Sequence, residues 1–297
     1  MRLALITNRR SGTAPDPAEL AARLATDGAA VDYVPIEQIA DPDCGALEDG
    51  ALAALQAEGA PDRIAVAGGD GSIGPAALCA ARLGVPLAVI AVGTANDFAR
   101  AKRLPLDDLE QACALARDVR ARTRHAELGR AGERPFVNAA AAGLSVAAAD
   151  AAKPPKSRLG PLAYAVGAIK AAVIATPLRC AVSCDGGVCF EGRIWQVVVG
   201  VTGAFGGGSE IGVTSAQDGQ LDVAVVPAGS RTGLVRRAYG MRTGRLTEQS
   251  DVVHRRGATI DVAVAGHPTF NVDGETCRCE PARFTLHPGG FDVVTAP

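Results

Sequence analysis

The sequence predicts an α/β + β protein, in which a parallel sheet covered by helices is followed by an antiparallel β-sandwich. Up to about residue 122, short apolar segments alternate with helical ones, a pattern typical of a parallel sheet with both faces covered. Beyond that point, Val-rich alternating segments are separated by Gly, Asp and Pro turns, as in antiparallel sandwiches. The length of 297 residues also fits two domains of about 150 residues each.

The elements follow from local patterns. Apolar runs predict strands at 3–7, 31–36, 64–67 and 86–92, and the spacing of Leu20 and Leu24 predicts a helix at 17–26. Further helices are predicted at 43–58, 76–83, 98–102 and 106–118. In the second half, strands are predicted at 180–184, 188–201, 221–226, 259–264, 269–272 and 283–286, with one helix at 159–175. We place the domains at 1–122 and 123–297, and the tail, about 288–297, is a candidate to return to the first domain.

The segment Gly68-Gly69-Asp70-Gly71-Ser72 carries the first chemical signal. It follows a buried strand and precedes a helix, whose N-terminal N–H groups and dipole favour an anion. Glycines permit positive φ and a close approach of the backbone to a ligand. A carboxylate in a turn that favours phosphate would repel that phosphate unless a cation lies between them. A Mg²⁺-nucleotide is therefore the expected ligand. The alternative is a strand-to-helix turn that the glycines only shorten.

Composition excludes several classes of function. The formal net charge of −2 gives no general attraction to nucleic acid, so no nucleic-acid partner is expected. The apolar run at the N-terminus is too short for a signal peptide or a membrane span. The eight cysteines contain no C-x-x-C pair. We therefore expect reduced thiols in a cytoplasmic protein rather than a metal–thiolate cluster of Cys180, Cys184 and Cys189 with Cys277 and Cys279.

Taken together, this glycine-rich segment and Gly93-Thr94-Ala95-Asn96-Asp97-Phe98-Ala99-Arg100 resemble the catalytic domain of diacylglycerol-kinase-type lipid kinases, which include bacterial soluble members and sphingosine kinases. The first motif also occurs in NAD kinases and phosphofructokinases, whereas the second is more particular to lipid kinases. The similarity extends over nearly the whole chain. Its further motifs are Asn8-Arg9-Arg10-Ser11-Gly12, Gly206-Gly207-Gly208 with Asp218-Gly219-Gln220-Leu221-Asp222, Asp273-Gly274-Glu275, and the closing segment 284–297.

The resemblance implies an NAD-kinase-like nucleotide-binding domain with an ATP site at the strand ends. Asp70 would hold the Mg²⁺ of the nucleotide, directly or through water, and Asn96 and Asp97 would brace its loop. The implied ATP-binding residues are Asn8, Arg9, Arg10, Ser11, Gly12, Pro35, Gly68, Gly69, Asp70, Gly71, Ser72, Ile73, Gly74, Thr94, Asn96 and Asp97.

The resemblance also implies roles in the second domain. Glu275, with Asp273 close by, matches the general base that takes the proton of the lipid hydroxyl. Asp218, with the backbone carbonyls of Ser215 and Gln220, matches a second Mg²⁺ site, and three oxygens plus waters suit this ion. From the residues alone, Asp273-Gly274 is also typical of a type I′ hairpin turn, and Asp218-Gly219 is equally consistent with a turn.

Three departures from the family pattern bear on function. Arg9 replaces a proline of the nucleotide loop, which loosens the turn and adds a cation that can pair with phosphate. Val92 stands where a proline usually precedes the Gly93 motif. Segment 138–145 is alanine-rich where the family is more polar, and this bears on which lipid is bound.

The expected activity is transfer of the γ-phosphoryl group of ATP to a lipid hydroxyl. The alternatives are an NAD-kinase-like enzyme and a non-catalytic lipid- or nucleotide-binding regulator. Basic residues concentrated between Arg231 and Arg256 are typical of a solvated face, but with a lipid substrate they predict peripheral contact with an anionic membrane, at the inner face. The helix at 159–175 adds an apolar stripe that could cover a lipid cleft or pack on the sandwich. A homodimer is a further option.

Overall fold

The computed structural model describes residues 1–9, 15–43, 45–106, 108–144, 146, 176–202, 204–205, 209–210, 218–230, 249–266, 269–277 and 283–296. The chain forms two compact units. Unit 1 comprises Met1–Asn138, Ala216–Asp218 and Leu286–Pro297, and unit 2 comprises Ala139–Ser215 and Gly219–Thr285. The predicted division after residue 122 falls 16 residues before the end of the first segment of unit 1 (138 − 122 = 16). The predicted helix at 159–175 lies outside the described residues.

The elements of unit 1 come first in the chain. Its helices are α1 (Pro17–Leu24), α2 (Ala51–Gln56), α3 (Asp70–Leu83), α4 (Asp97–Ala101) and α5 (Leu109–Arg117), with 3₁₀ turns at Thr26–Gly28 and Ile36–Gln38. Its strands are β1 (Arg2–Thr7), β2 (Ala30–Pro35), β3 (Arg63–Gly68), β4 (Leu87–Ala91), β5 (Arg122–Ala126), β6 (Gly129–Ala131) and β7 (Arg134–Phe136). None of these helices is long and apolar enough to cross a bilayer.

The later strands lie mostly in unit 2. They are β8 (Ala139–Gly143), β9 (Leu178–Cys184), β10 (Gly187–Gly200), β11 (Ala204–Phe205), β12 (Ser209–Glu210), β13 (Leu221–Pro227), β14 (Val253–Gly257), β15 (Thr259–Val264), β16 (Phe270–Val272), β17 (Glu275–Cys277), β18 (Arg283–Leu286) and β19 (Phe291–Thr295). The last of them, β19, belongs to the sheet of unit 1, and it lies in the tail that was a candidate to return there.

The sheet of unit 1 has the order β2-β1-β3-β4-β19-β5. Strands β1 to β4 run parallel, as predicted, and β19 is parallel to β4 and antiparallel to β5. Alternating residues of each strand face two separate cores: Leu3 and Leu5 pack with helices α1 and α5, whereas Ala4 and Ile6 pack with α2 and α3. Helices therefore cover both faces, and all four parallel strands end at the same edge of the sheet.

Local capping fixes where the helices begin and end. Helix α1 begins at Pro17 because the Asp16 carboxylate accepts a hydrogen bond from the Ala18 N–H at 2.8 Å. Helix α5 begins after Asp108, whose carboxylate accepts from the Gln111 N–H at 2.9 Å. At the other end of α5, the buried guanidinium of Arg63 donates to the carbonyls of Leu115, Ala116 and Asp118.

Unit 2 is antiparallel. Its strands follow the order β17-β16-β8-β10-β9-β15-β18, and β13 pairs with both β10 and β14. The long strand β10 organises this unit, because its first half pairs with β9 and its second half with β8 and β13. Trp195 and Val198 on β10 pack against Ala224 and Val226 on β13 in a buried cluster. The predicted antiparallel fold of the second half is confirmed.

Several predicted elements are wrong in extent. The helix predicted at 43–58 is present only as α2, because Gly45 adopts a left-handed φ of 68° and Leu47 forms an isolated β-bridge with Ala40. The helix predicted from residue 76 begins at Asp70 instead. Strands β5 and β14 were missed because their sequences, RTRHA and VHRRG, are charged rather than apolar.

Candidate active site

Three loops meet at the edge of unit 1 where the parallel strands end. The Asn8 N–H donates to the Ala67 carbonyl at 3.2 Å, and the Asn8 side-chain amide donates to the Ser72 hydroxyl at 3.0 Å. The Val92 N–H donates to the Gly68 carbonyl at 3.1 Å. The loops that follow β1, β3 and β4 are therefore held together, as their positions after parallel strands predict.

The glycines of this edge allow close packing rather than positive φ. Gly68, Gly69 and Gly71, all within the described residues, do not have positive φ. The expectation that these glycines serve a positive-φ turn is therefore wrong. A β-carbon on Gly93 would lie 2.5 Å from the Gly69 α-carbon, and one on Gly74 would lie 2.5 Å from the Pro135 carbonyl oxygen. Side chains at these two positions would push the loop after β4 and strand β7 away from α3.

The glycine-rich segment is the first turn of α3. Gly69 occupies the N-cap position with extended backbone, and the helix starts at Asp70. The backbone at Gly69 and Gly71 is partly exposed, whereas the Ile73 side chain is buried in the core of unit 1. Ile73 is 2% exposed, so it offers almost no surface to a ligand. A 14-residue helix whose first turn bears glycines at a sheet edge is a suitable anion site.

The carboxylate of Asp70 ties this turn to two distant segments. Its Oδ2 accepts a hydrogen bond from the Asp97 N–H at 3.0 Å, and its Oδ1 accepts from the Phe98 N–H at 2.9 Å. The Asn138 side-chain amide also donates to Oδ1, at 2.9 Å. The residue is only 8% exposed, so these three donors replace most of its hydration. Because Oδ2 accepts one bond, it retains a lone pair that can face water or a cation.

Asn96 shapes the loop after β4. It adopts a left-handed conformation with φ 52° at the N-cap of α4. Its side-chain oxygen accepts from the Gly93 N–H and its amide donates to the Gly93 carbonyl, both at 3.0 Å. This double contact closes residues 93–96 into a tight loop, with the Thr94 side chain exposed. Asn tolerates this backbone conformation better than most residues, which explains the choice of side chain.

Helix α4 is held from behind by the C-terminal tail. Phe98 is fully buried, and its ring stacks on Phe291 of β19 with centroids 6.0 Å apart. The Lys102 ammonium lies 5.8 Å from the centre of the Phe98 ring, and burial lowers the pKa of this lysine. Packing on β19 therefore fixes the two backbone N–H groups that α4 presents to Asp70.

A cavity of about 390 Å³ opens beside this loop within unit 1. Thr94 and Asn96, both predicted to bind ATP, contribute to its wall, and Arg100 supplies a cation. The remaining lining residues are mainly apolar: Pro15, Ile90, Ala91, Val92, Gly93, Pro105, Leu106, Asp108, Leu109 and Ala112. Its volume is within the range of small-molecule sites.

Some of the other predicted ATP-binding residues are described by the structure and some are not. Pro35 ends β2 directly beside Thr7, so it lies at the same edge as Asn8. Arg9 is exposed, and Asp97 is buried with 5% of its surface exposed. Arg10, Ser11 and Gly12 lie outside the described residues.

In unit 2, Asp273 and Glu275 occupy a β-hairpin between β16 and β17. Val272 pairs with Glu275, and the two residues of the turn, Asp273 and Gly274, have φ of 49° and 87°. These are the positive φ values of a type I′ turn, so the turn predicted from this dipeptide is present. The hairpin places the two acids in different surroundings.

Asp273 is 8% exposed, and its carboxylate accepts from the Ala139 N–H at 3.1 Å while its own N–H donates to the Ala139 carbonyl at 3.0 Å. Glu275 is exposed. Asp273 thus anchors the turn to β8, whereas the Glu275 carboxyl is accessible to solutes.

The predicted second metal site is described in part. Asp218 and Gln220 are exposed, and Ser215 lies outside the described residues. Close by in sequence, Asp222 is 1% exposed, and its Oδ1 lies 2.7 Å from His254 Nε2 and 3.3 Å from Arg256 Nε on the neighbouring strand β14. The last acid of this motif therefore has a structural role in pairing β13 with β14.

Sequence reasoning missed Asn138. This residue is 2% exposed and lies 68 positions from Asp70, to which it donates. The only sequence signal was a polar residue immediately before the alanine-rich strand β8. Asp97 was expected to brace the Asp70 loop, but its contact is made by the backbone N–H rather than the side chain, and the Phe98 N–H contact was not predicted.

The parallel-sheet unit 1 and the antiparallel unit 2 have the fold of diacylglycerol kinases and NAD kinases. The family models agree. Residues 2–131 match the diacylglycerol kinase catalytic domain, and residues 138–295 match the YegS C-terminal NAD kinase beta sandwich-like domain. The chain belongs to the YegS-like family, and it carries a diacylglycerol kinase catalytic domain followed by a YegS C-terminal domain.

Known relatives and solved structures resemble the chain over most of its length. It is 28% identical to a diacylglycerol kinase of Bacillus subtilis, over 75% of this chain and 74% of the relative. It is 30% identical to a probable lipid kinase YegS-like protein of Pseudomonas fluorescens, over 78% and 76%. A crystal structure of a diacylglycerol kinase from Bacillus anthracis has the same fold, with a TM-score of 0.72, 22% identity and coverage of 100% and 97%. An NAD kinase from Archaeoglobus fulgidus, solved in complex with ATP, is less similar, with a TM-score of 0.52, 12% identity and coverage of 100% and 94%.

Proposed function

We propose that this protein is an ATP-dependent lipid kinase, which transfers the γ-phosphoryl group of ATP to a hydroxyl group of a lipid. The observation that carries the proposal is the arrangement around Asp70, in which a buried carboxylate ties the first turn of α3 to the start of α4. This arrangement holds two loops that a nucleotide can contact in a fixed geometry. Family membership supports the same reaction type.

The triphosphate binds at the N-terminus of α3. The partly exposed backbone of Gly69 and Gly71 can approach phosphate oxygens, and the helix dipole favours their negative charge. The exposed Thr94 hydroxyl and the Arg9 guanidinium are further donors in the same unit. Arg10, Ser11 and Gly12 complete the nucleotide loop in this proposal.

The residues of unit 1 fit Mg²⁺. This ion prefers oxygen ligands and retains several waters, and Asp70 Oδ2 keeps an acceptor position while the rest of the carboxylate is fixed. Asp70 would hold the ion directly or through water, and a second ion would be held by Asp218 with the carbonyls of Ser215 and Gln220. When bound, Mg²⁺ neutralises charge that develops on the phosphate oxygens.

Glu275 is the general base in this proposal. It is exposed, whereas Asp273 is buried and accepts a backbone hydrogen bond from Ala139. A general base must be accessible to the lipid hydroxyl, and the buried Asp273 is less accessible than Glu275. Glu275 takes the proton of the lipid hydroxyl, the hydroxyl oxygen bonds to the γ-phosphorus, and the bond to the ADP oxygen breaks.

The protein reaches its substrate by peripheral contact with an anionic membrane, at the cytoplasmic face. The basic segment begins at Arg231 and ends at Arg256, and within its described part Arg255 is exposed on the strand β14. Each cation near such a surface contributes roughly 1 kcal/mol of attraction. Co-sedimentation with vesicles should require anionic lipid, weaken with salt, and fall when Arg236, Arg237 and Arg242 become Gln. Equal binding to neutral and anionic vesicles would contradict this role.

A lipid-panel assay tests the proposed reaction. The protein is incubated with Mg²⁺, ATP labelled on the γ-phosphate and mixed micelles of diacylglycerol, sphingosine or phosphatidylglycerol, with NAD as a soluble acceptor. Label should enter at least one lipid, and omission of Mg²⁺ should abolish transfer. Transfer to NAD alone would favour the NAD-kinase alternative, and no transfer to any acceptor would favour a non-catalytic regulator.

A further inference from the structure

Three cysteines gather on the β9–β10 hairpin of unit 2. The Cys184 and Cys189 sulfur atoms are 3.3 Å apart, and the Cys189 thiol also donates to the Val182 carbonyl at 3.3 Å. Cys184 and Cys189 are partly exposed, whereas Cys180, on the same face of β9 as Cys184, is buried. Two sulfur atoms are therefore in contact at a position that small solutes can reach.

A β-bulge explains this contact. Val188 pairs with Ser183 and Phe190 pairs with Val182, so Cys189 is an extra residue with no partner of its own in the ladder. Bulges redirect the side chain of the extra residue and increase the local twist. Here the Cys189 sulfur lies against Cys184, near the end of the hairpin.

We propose that Cys184 and Cys189 form a reversible intramolecular disulfide, which makes the β9–β10 hairpin a site of thiol oxidation. A disulfide needs sulfur atoms about 2.05 Å apart, so the existing contact must shorten by about 1.3 Å. In this proposal, rotations about the χ1 torsions of the two cysteines supply this change. The site is independent of the proposed kinase reaction.

A hydroperoxide can drive the reaction in two steps. Burial raises the pKa of the Cys184 thiol to about 12 and that of Cys180 to about 11, so both stay protonated near neutral pH. The Cys189 sulfur attacks one peroxide oxygen, the O–O bond breaks, and the other oxygen leaves as water with the thiol proton. This step forms a sulfenic acid on Cys189.

The Cys184 sulfur then attacks the Cys189 sulfur. The S–S bond forms, the S–O bond breaks, and hydroxide leaves as water with the Cys184 proton. Overall, two thiols lose two electrons and one hydrogen peroxide becomes two waters. A dithiol reductant reverses the reaction by exchange. The product links β9 to β10, the strand that also pairs with β8 and β13.

Peptide mapping of the native protein after hydrogen peroxide treatment tests the proposal. Free thiols are alkylated, and the protein is cut with trypsin, after Arg179 and Arg193, and with an endoproteinase that cuts before Asp185. These cuts place Cys189 on a different fragment from Cys184. We expect the two fragments to remain joined after oxidation and to separate after treatment with dithiothreitol.

Matched variants assign the bond. Cys180→Ser should retain the linked fragments, whereas Cys184→Ser and Cys189→Ser should each lose them. The buried Cys79 and Cys113 should show no oxidation by hydrogen peroxide in any sample, which checks that the protein stays folded during the treatment. The proposal is overturned if wild-type fragments never link while Cys189 is oxidised to sulfinic acid, or if the link persists in Cys184→Ser.

Discussion

Replacement of Asp70 by Asn separates its role in the fold from its role in phosphoryl transfer. The substitution keeps the shape of the side chain, but it replaces one of the two carboxylate oxygens by an NH₂ group and so leaves one acceptor oxygen. With that oxygen in the Oδ1 position, the Phe98 N–H and the Asn138 amide keep weaker, neutral hydrogen bonds, each about 1 kcal/mol less favourable. The buried Asp97 N–H then faces an NH₂ group, which costs about 1–3 kcal/mol. The expected loss of unfolding free energy is about 3–5 kcal/mol.

Urea denaturation followed by circular dichroism at 222 nm measures this loss, because helices α1 to α5 of unit 1 contribute to the signal. With a slope of about 2 kcal/mol per molar, the midpoint should fall by about 1.5–2.5 M. Fluorescence of the single tryptophan, Trp195, reports unit 2 instead. Asp49→Asn, at an exposed position, is the matched control.

Below its unfolding transition, Asp70→Asn should lack Mg²⁺-ATP-dependent turnover. An unchanged midpoint would refute the hydrogen-bond argument, and near-wild-type kcat would refute the role in metal binding.

Three further predictions address single residues. Glu275→Gln should lower kcat by about 10²–10⁴-fold with ATP affinity little changed, whereas Asp273→Asn should chiefly lower the thermal midpoint; the reverse pattern in kinetics and melting would move the base to Asp273. Asn96→Ala loses both bonds to Gly93 and places a β-carbon at φ 52°, so calorimetry should show about 2–3 kcal/mol of destabilisation, and an unchanged Tm would contradict this. Burial raises the pKa of Cys79 from 9.0 to about 12, so between these values the unfolded state loses a proton that the folded state keeps. Stability should therefore fall from pH 9 to 11 more steeply in the wild type than in Cys79→Ala, as urea titrations would show; parallel slopes would refute it.

Much of unit 1 could be predicted because its strands are buried on both faces. β1, β3 and β4 are continuous apolar runs, and such runs have few alternatives. Elements without this signal were missed. β8 reads AAAAG, in which alanine favours helix, yet every alanine is buried between β10 and β16. Tertiary pairing, rather than local preference, decides its conformation.

The site could be located but not explained from the sequence. The motifs indicated the positions of Asp70 and Asn96, because glycine, asparagine and acidic residues that follow an apolar run are typical of a loop after a strand. They could not give the partners of Asp70, because two are backbone N–H groups and the third, Asn138, is distant in sequence. The motif matched Glu275 to the general base with Asp273 close by, but it could not show that Asp273 is buried and Glu275 exposed.

The most direct test of the central claim uses a total bacterial lipid extract rather than chosen substrates. The protein is incubated with the extract, Mg²⁺ and ATP labelled on the γ-phosphate, and the label is followed into the organic phase and identified by mass spectrometry. We predict a phosphorylated lipid that forms only with Mg²⁺ and is at least 100-fold scarcer with Glu275→Gln. Label that stays in the aqueous phase, as ATP, inorganic phosphate or a phosphorylated nucleotide, would contradict the claim.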